Sequence, residues 1–276
     1  MMRTSLIVLA ISSALAAGCQ SVETTKQGTV GVDRKQNMLV SEQEVEASAQ
    51  KQYAQMMAEA QKKGALDKDA AQVQRIKTIT SRLIPQTAVF RPDAQKWQWE
   101  VHVLSVSEVN AWCMPGGKMA MYTGLIEKLQ ATDDELAAVM GHEISHALRE
   151  HSREAISRQM ATQTAVGIAG ALFGVGELGT SLGNMVADVT LNRPNSRTNE
   201  TEADRIGVEL AARAGYNPEA AVSLWQKMAK LNSGGQPPKW LSTHPSNEDR
   251  IKDVQIYAQK VMPLYTAAKA SPSAGK

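Results

Sequence analysis

The sequence predicts an α+β fold that is mostly helical, with a small β-sheet lying beside one central helix. Two observations carry this expectation. Phe occurs only twice while Met occurs 13 times, and Ala and Leu are plentiful, a composition that favours helices. Between Trp97 and Tyr122 the pattern changes to short alternating or apolar pieces around a Gly-Gly pair, which read as strands. The formal net charge is +2, and no basic stripe is interleaved with aromatics, so no nucleic-acid partner is expected.

Residues 1–18 read as a secretory signal. Met1-Met2-Arg3-Thr4 is a short positive start, Ser5 to Ala17 is apolar, and Ala16-Ala17-Gly18 places small residues before Cys19. The apolar run, about 13 residues, falls short of the ~20 needed to span a bilayer. A cysteine directly after small residues resembles the lipobox of bacterial lipoproteins, with Leu15 one place earlier than the commonest pattern. The resemblance makes Cys19 an acylated N-terminus, held to a membrane by chains worth ~0.8 kcal/mol per buried CH₂. Gln20 follows rather than Asp. By resemblance to lipoprotein sorting in Gram-negative bacteria, this implies the periplasmic face of the outer membrane. With Cys19 acylated, Cys113 is the one cysteine left, so no intramolecular disulfide is expected, and its apolar surroundings imply a buried thiol. Residues 19–40 are polar with Gly28 and Gly31 and read as a flexible, lipid-anchored tether. The folded domain is expected over 41–265, and the low-complexity residues 266–276 as a disordered tail.

Within the domain, Ser41 and Glu44 open a helix that runs to about Lys63. Asp69 to Ile84 follows, with Ala70, Val73, Ile76, Ile79 and Leu83 at helical spacing and Pro85 just past its end. Trp97 to Val103 alternates strictly and reads as a strand, with His102 on its polar face as a surface residue. Val109 to Met114 and Met119 to Tyr122 form a hairpin about Gly116-Gly117. Thr132 and Glu135 make a capping box, and acidic Asp133, Asp134 and Glu135 suit the positive end of the helix that follows. Leu136, Val139, Met140, Ile144, Ala147 and Leu148 continue its period. Thr164 to Val189 is rich in Gly and Ala, and Gly170 and Gly174 form a GxxxG pair. This run reads either as a small helical hairpin packed beside the cleft as a lid, or as a surface that touches lipid or unfolded polypeptide. Ser196 caps a further helix, Asn217-Pro218-Glu219 starts another, and a last one covers about Asn247 to Val261.

The helix after Thr132 carries His142-Glu143-Ile144-Ser145-His146, an HExxH pattern. Positions four apart share a helix face, so both imidazoles can reach one zinc ion. Glu143, one residue round from His142, is placed to act as general base on a water there. A third ligand is needed, and Glu200 is the candidate. Glu200 and Asp204 share a face of the helix capped by Ser196, so Glu200 can bind zinc while Asp204 accepts a hydrogen bond from a ligand imidazole. Glu202 points elsewhere and is the weaker candidate. Two satisfied core histidines and a solvated acidic face are the plain alternatives.

HExxH followed by Ser196-Arg197-x-x-Glu200-x-Glu202-Ala203-Asp204 resembles the gluzincin family that contains the CAAX prenyl protease, HtpX and the Oma-type peptidases, and particularly its periplasmic lipoprotein members. Ser242-Thr243-His244-Pro245-Ser246, with Arg250-Ile251 beyond, resembles the family's His-Pro block. Asn110-Ala111 leading to Pro115-Gly116-Gly117 and Tyr122-Thr123-Gly124-Leu125 matches a fourth. The blocks run from about Ser105 to Ile251, in the family's order. The resemblance implies a zincin-type metallopeptidase domain, one Zn²⁺ on His142, His146 and Glu200, and Glu143 as base. It places His244 facing the metal, as an oxyanion donor or as a ligand that closes the open position. An edge strand with Asn110 and Ala111 would pair with substrate main chain. The expected function is that of a membrane-anchored periplasmic zinc endopeptidase acting on unfolded or misassembled envelope proteins. A zinc-stabilised chaperone or scaffold with little turnover is the alternative, and a hydrolase of a non-peptide bond is a third reading.

Overall fold

The structure, a computed structural model, describes residues 20–165, 175–232, 238–245 and 248–270. It opens with two short strands, β1 (Gln20–Val22) and β2 (Gln36–Met38), paired antiparallel. Helix α1 (Glu42–Lys62) starts at Ser41, which forms a capping box with Glu44. Helix α2 (Ala70–Leu83) starts at Asp69, whose carboxylate accepts from the amides of Ala71 and Gln72. Two 3-10 turns, Ile84–Val89 and Pro92–Lys96, lead into strand β3 (Glu100–Leu104).

The strand expected from Trp97 begins three residues later. Trp97 closes the second turn, and the Trp99 indole donates to the Ala94 carbonyl at 2.8 Å, so both serve the turn rather than the ladder. Strands β4 (Ala111–Met114) and β5 (Lys118–Tyr122) form the expected hairpin, with Gly116 and Gly117 at φ 76° and 78°, where a side chain would be strained. The sheet order is β3-β5-β4, with β5 parallel to β3 and antiparallel to β4, which leaves β4 on an edge. His102 is not free on the surface as expected. It lies between Asp67 and Glu100, 2.5 and 3.0 Å away, and stacks on Tyr53.

The helices that follow are α3 (Thr123–Lys128), α4 (Asp133–Leu148), α5 (His151–Ala165), α6 (Val175–Leu191), α7 (Arg197–Arg213), α8 (Ala220–Asn232), α9 (Lys239–Thr243) and α10 (Glu248–Ala270). Every residue of α4 from Glu135 to Leu148 is buried. The helix forms the axis of the core, with α7, α8, α2 and β4 packed around it. The contact with α7 is unusually close. A Cβ on Gly141 would meet the Gly207 carbonyl oxygen at 2.8 Å, and one on Gly207 would meet the His142 amide nitrogen at 2.8 Å. Two glycines face to face let the helix backbones touch. Among the described residues, no helix is long and apolar enough to cross a membrane.

Two boundaries differ from expectation. The segment read as a flexible tether is packed against the domain from Thr24 onward: Val30, Val32 and Met38 are buried, and polar Thr24, Thr25 and Gln36 are buried with them. Its polar residues face other polar residues of the domain, so polarity here does not mean solvation. Helix α10 runs past Val261, through Pro263, to Ala270. The hydrogen bond lost at Pro263 is offset by Val261, Leu264 and Tyr265 packing on the core. The Gly/Ala-rich run is helical in its second half, where Val186 and Val189 of α6 bury against a cluster with Val45, Tyr53 and Trp112. Gly170, Gly174, residues 1–18, Cys19 and the last six residues lie outside the described residues.

Candidate metal centre

The phase of α4 is set at its start. Thr132 Oγ1 accepts from the Glu135 amide, and the Glu135 carboxylate accepts from the Thr132 amide, from Ser223 Oγ at 2.7 Å and from Lys227 Nζ at 2.6 Å. His142 and His146, one turn apart, then face the same way, with Nε2 atoms 3.0 Å apart. Helix α7 is capped by Ser196, whose hydroxyl accepts from the Asn199 amide. Held against α4 by the glycine contact, α7 places Glu200 Oε1 3.3 Å from His146 Nε2 and Oε2 3.7 Å from His142 Nε2. His244, just after α9, brings Nδ1 to 3.1 Å from His142 Nε2 and 3.0 Å from Glu200 Oε1. One ligand atom from each of these four residues lies within 4.8 Å of the others, and all four are buried.

Each ligand imidazole is backed on its far nitrogen. His142 Nδ1 lies 2.9 Å from Asp204 Oδ1, and Arg250 holds Asp204 with a two-pronged ion pair. His146 Nδ1 lies 2.8 Å from Nδ1 of His151, whose Nε2 lies 3.1 Å from Glu202 Oε2. A carboxylate acceptor puts the proton of His142 on Nδ1, and the chain ending at Glu202 does the same for His146. Both Nε2 lone pairs then point at each other across 3.0 Å, which is repulsive unless a cation lies between them. Glu200 Oε2 is buried and paired with Arg250 Nη1 at 2.5 Å. Imidazole nitrogens and a carboxylate oxygen are the donor set of a zinc site with three protein ligands, and His244 is a fourth donor.

Burial lowers the pKa of His142 and His146, which favours the neutral form a metal requires. Burial also opposes ionisation of Glu200, but the charges of His244 and Arg250, with hydrogen bonds from His146 and His244, hold it well below its ordinary value. Glu143 differs: burial pushes its carboxyl up. Its Oε1 accepts from the Trp240 indole at 2.7 Å and lies 3.4 Å from His244 Nε2. The centre is closed in this arrangement, since His142, Glu143, His146, Glu200 and His244 are each no more than 8% exposed. Helix α9 packs over it, with the Trp240 ring 5.7 Å from the His142 ring. Its Trp240 amide donates to the Val109 carbonyl at 3.1 Å, one residue before Asn110. Asn110 and Ala111 lie at the start of β4, both buried, with Asn110 Oδ1 accepting from the Ala111 amide. Cys113, further along β4, is a buried thiol whose pKa burial raises.

The fold therefore brings together His142, Glu143, His146, Glu200, Asp204 and His244, all singled out in the sequence. Glu202 turns away from the donors and supports them indirectly. Two participants carry no mark in the sequence. His151 lies five residues past His146 on a new helix, and Trp240 lies in a short helix that starts after Pro238. The nearness of His151 to the motif is the one signal that could have found it.

A family model described as Peptidase family M48 matches residues 70–258. The mitochondrial metalloendopeptidase OMA1 of Schizosaccharomyces pombe is 36% identical over 159 residues, which cover 57% of this chain and 46% of that protein. Metalloendopeptidase OMA1, mitochondrial, of Bos taurus is 31% identical over 224 residues, 76% of this chain and 41% of that protein. The Beta-barrel assembly-enhancing protease of Yersinia pestis is 28% identical over 212 residues, 72% of this chain and 42% of that protein. The chain thus spans less than half the length of each of these three curated relatives. Because the matched stretch covers more than half of the chain and contains all four donors, the chain belongs to peptidase family M48, and its donor cluster is a zinc centre.

Proposed function

We propose that this chain is a zinc-dependent endopeptidase, anchored through Cys19 at the periplasmic face of the outer membrane, that cleaves unfolded or misassembled envelope proteins. The observation that carries the peptidase reading is Glu143, a buried carboxylate beside the donors that ligates nothing and faces the space between His244 and Trp240. A scaffold or chaperone without turnover has no use for such a group.

His142, His146 and Glu200 would hold the metal. Zinc, when bound, supplies a Lewis acid that lowers the pKa of water toward ~7 and polarises a carbonyl. Glu143 takes the proton of the attacking water and returns it to the leaving amine. Its upward-shifted pKa suits the second half of that task. The outer edge of β4, starting at Asn110 and Ala111 and covered in this arrangement, accepts substrate main chain by strand addition once α9 withdraws, a mode that tolerates many sequences. His244 serves as a resting ligand: its Nδ1 sits among the donors, so α9 must withdraw, carrying Trp240 off Glu143, before substrate enters. The name of the Yersinia relative supports an envelope setting, while the OMA1 relatives are named as mitochondrial. The location therefore rests on the residues around Cys19.

Glu143→Gln tests this reading. The variant should keep its zinc and its fold and lose ~10²–10⁴-fold in cleavage of an unfolded test protein. Near-normal cleavage sinks the mechanism. Mass spectrometry of envelope proteins from cells carrying either form should show substrates accumulating with the variant, and no difference sinks the biological assignment.

A further inference from the structure

We infer that residues 24–36, which lie outside the stretch matched by the family, are a working part of the zinc centre: Arg34 clamps Glu202 and, through His151, positions the ligand His146. The inference rests on the zinc reading above. It starts from an asymmetry between the two ligand histidines. The partner of His142 is Asp204, held by Arg250, and both belong to the matched stretch. The chain behind His146 runs to His151 and then to Glu202, and it ends in the β1–β2 segment.

Arg34 Nε donates to Glu202 Oε1 at 2.6 Å, and Nη2 reaches Oε2 at 3.2 Å. The same guanidinium spans both oxygens of Glu154, at 2.6 and 2.9 Å. Arg149, whose side chain is fully buried, donates from Nε to Glu202 Oε2 at 2.9 Å. Its other nitrogens are satisfied by the same segment: Nη1 reaches the Thr24 and Thr25 hydroxyls at 3.1 Å each, and Nη2 the Arg34 carbonyl at 2.8 Å. Gln36 closes the array by donating to Glu154 at 2.8 Å and to the Arg149 carbonyl at 2.7 Å.

The orientation of Glu202 is thus fixed by two arginines, one of them from the N-terminal segment and the other partnered by it. A carboxylate fixed in this way holds His151 in one tautomer, and His151 in turn holds His146 with its lone pair toward the metal. Arg34 and His151 are positioning residues and touch neither substrate nor metal. Loss of such outer partners lowers metal affinity by about 10–100-fold.

The experiment is zinc affinity of the full chain, measured by competition with a chromogenic chelator, for wild type, Arg34→Met, Arg34→Lys, His151→Gln and Lys35→Met. Lys35 sits on the same segment but is exposed and, among the described residues, pairs with exposed Glu23, so it controls for general loosening. Arg34→Met and His151→Gln should bind zinc ~10–100-fold more weakly. Their cobalt-substituted forms should show altered d–d absorption, while Lys35→Met matches wild type in both. Arg34→Lys keeps the charge but not the two-pronged geometry and should fall between, and it carries the test if Arg34→Met does not fold. Arg34 variants with wild-type affinity and spectrum overturn the inference, even if the metal-free protein melts lower, because that is what a merely structural clasp would do. A wild type that binds no zinc overturns both this inference and the zinc reading. Zinc-loaded wild type with unchanged variants overturns this inference alone.

Discussion

Gly207→Ala probes how the distance between two helices controls the zinc centre. The added Cβ would lie 2.8 Å from the His142 amide nitrogen and 3.0 Å from the Gly141 carbonyl carbon and the His142 Cα. These are backbone atoms of a buried helix and cannot rotate aside. Ordinary carbon contact begins near ~3.5 Å, so α7 must retreat from α4 by about 0.5–1 Å. Zinc sites tolerate about 0.2 Å in ligand distance, so a retreat of that size takes Glu200 out of reach of the metal that His142 and His146 hold. Helix propensity opposes the effect, since Ala is favoured over Gly by ~1 kcal/mol in a helix interior. Overpacking costs ~1–3 kcal/mol, with the upper end expected where only backbone can move. The net destabilisation is then about 1–2 kcal/mol, or roughly 2–8 °C in Tm for a chain of this size. Thermal unfolding with chelator and with zinc, together with zinc titration, reads both parts. Gly183→Ala is the control. Its nearest neighbour would be Gln52 Oε1 at 3.9 Å, so it should be neutral or slightly stabilising. A Gly207→Ala protein that melts as high as wild type and binds zinc as tightly would mean that the Gly141–Gly207 contact does not set the distance of Glu200 from the histidines.

Replacing His142, His146 or Glu200 by Ala should abolish stoichiometric zinc in elemental analysis; full zinc in Glu200→Ala with Glu202→Ala empty would transfer the ligand role to Glu202. His244→Ala should keep zinc and raise or deregulate cleavage, as expected when a resting ligand is removed. A fall of ~10²–10³-fold would make it an oxyanion donor instead, and unchanged kinetics would leave it a packing role. Cys19→Ser should carry no fatty acid in metabolic labelling, and label on that variant would refute the anchor.

What the sequence determined by itself was local. The caps at Thr132 and Ser196, the four-residue spacing of His142 and His146 and the Gly-Gly turn between β4 and β5 each involve residues within one or two turns of backbone. Such interactions are set by dihedral preference and nearest-neighbour hydrogen bonds, and they read the same in any surroundings. The donor residues were legible because helical periodicity puts Glu200 and Asp204 on one face before any packing is known. Only tertiary structure decided the rest. The contact of Gly141 with Gly207 sets how near Glu200 comes to the histidines, and nothing in either local stretch announces it. Helical spacing already sets Glu202 apart from Glu200, but only the oriented helix gives it His151 and Arg34 as partners. Residues 20–38 look like a solvated linker because their polar side chains find partners more than 100 residues away, in Arg149, Glu154 and Glu202. A polar residue has the same local signature whether water or a buried arginine satisfies it. The difference lies in long-range packing, which no short window of sequence contains.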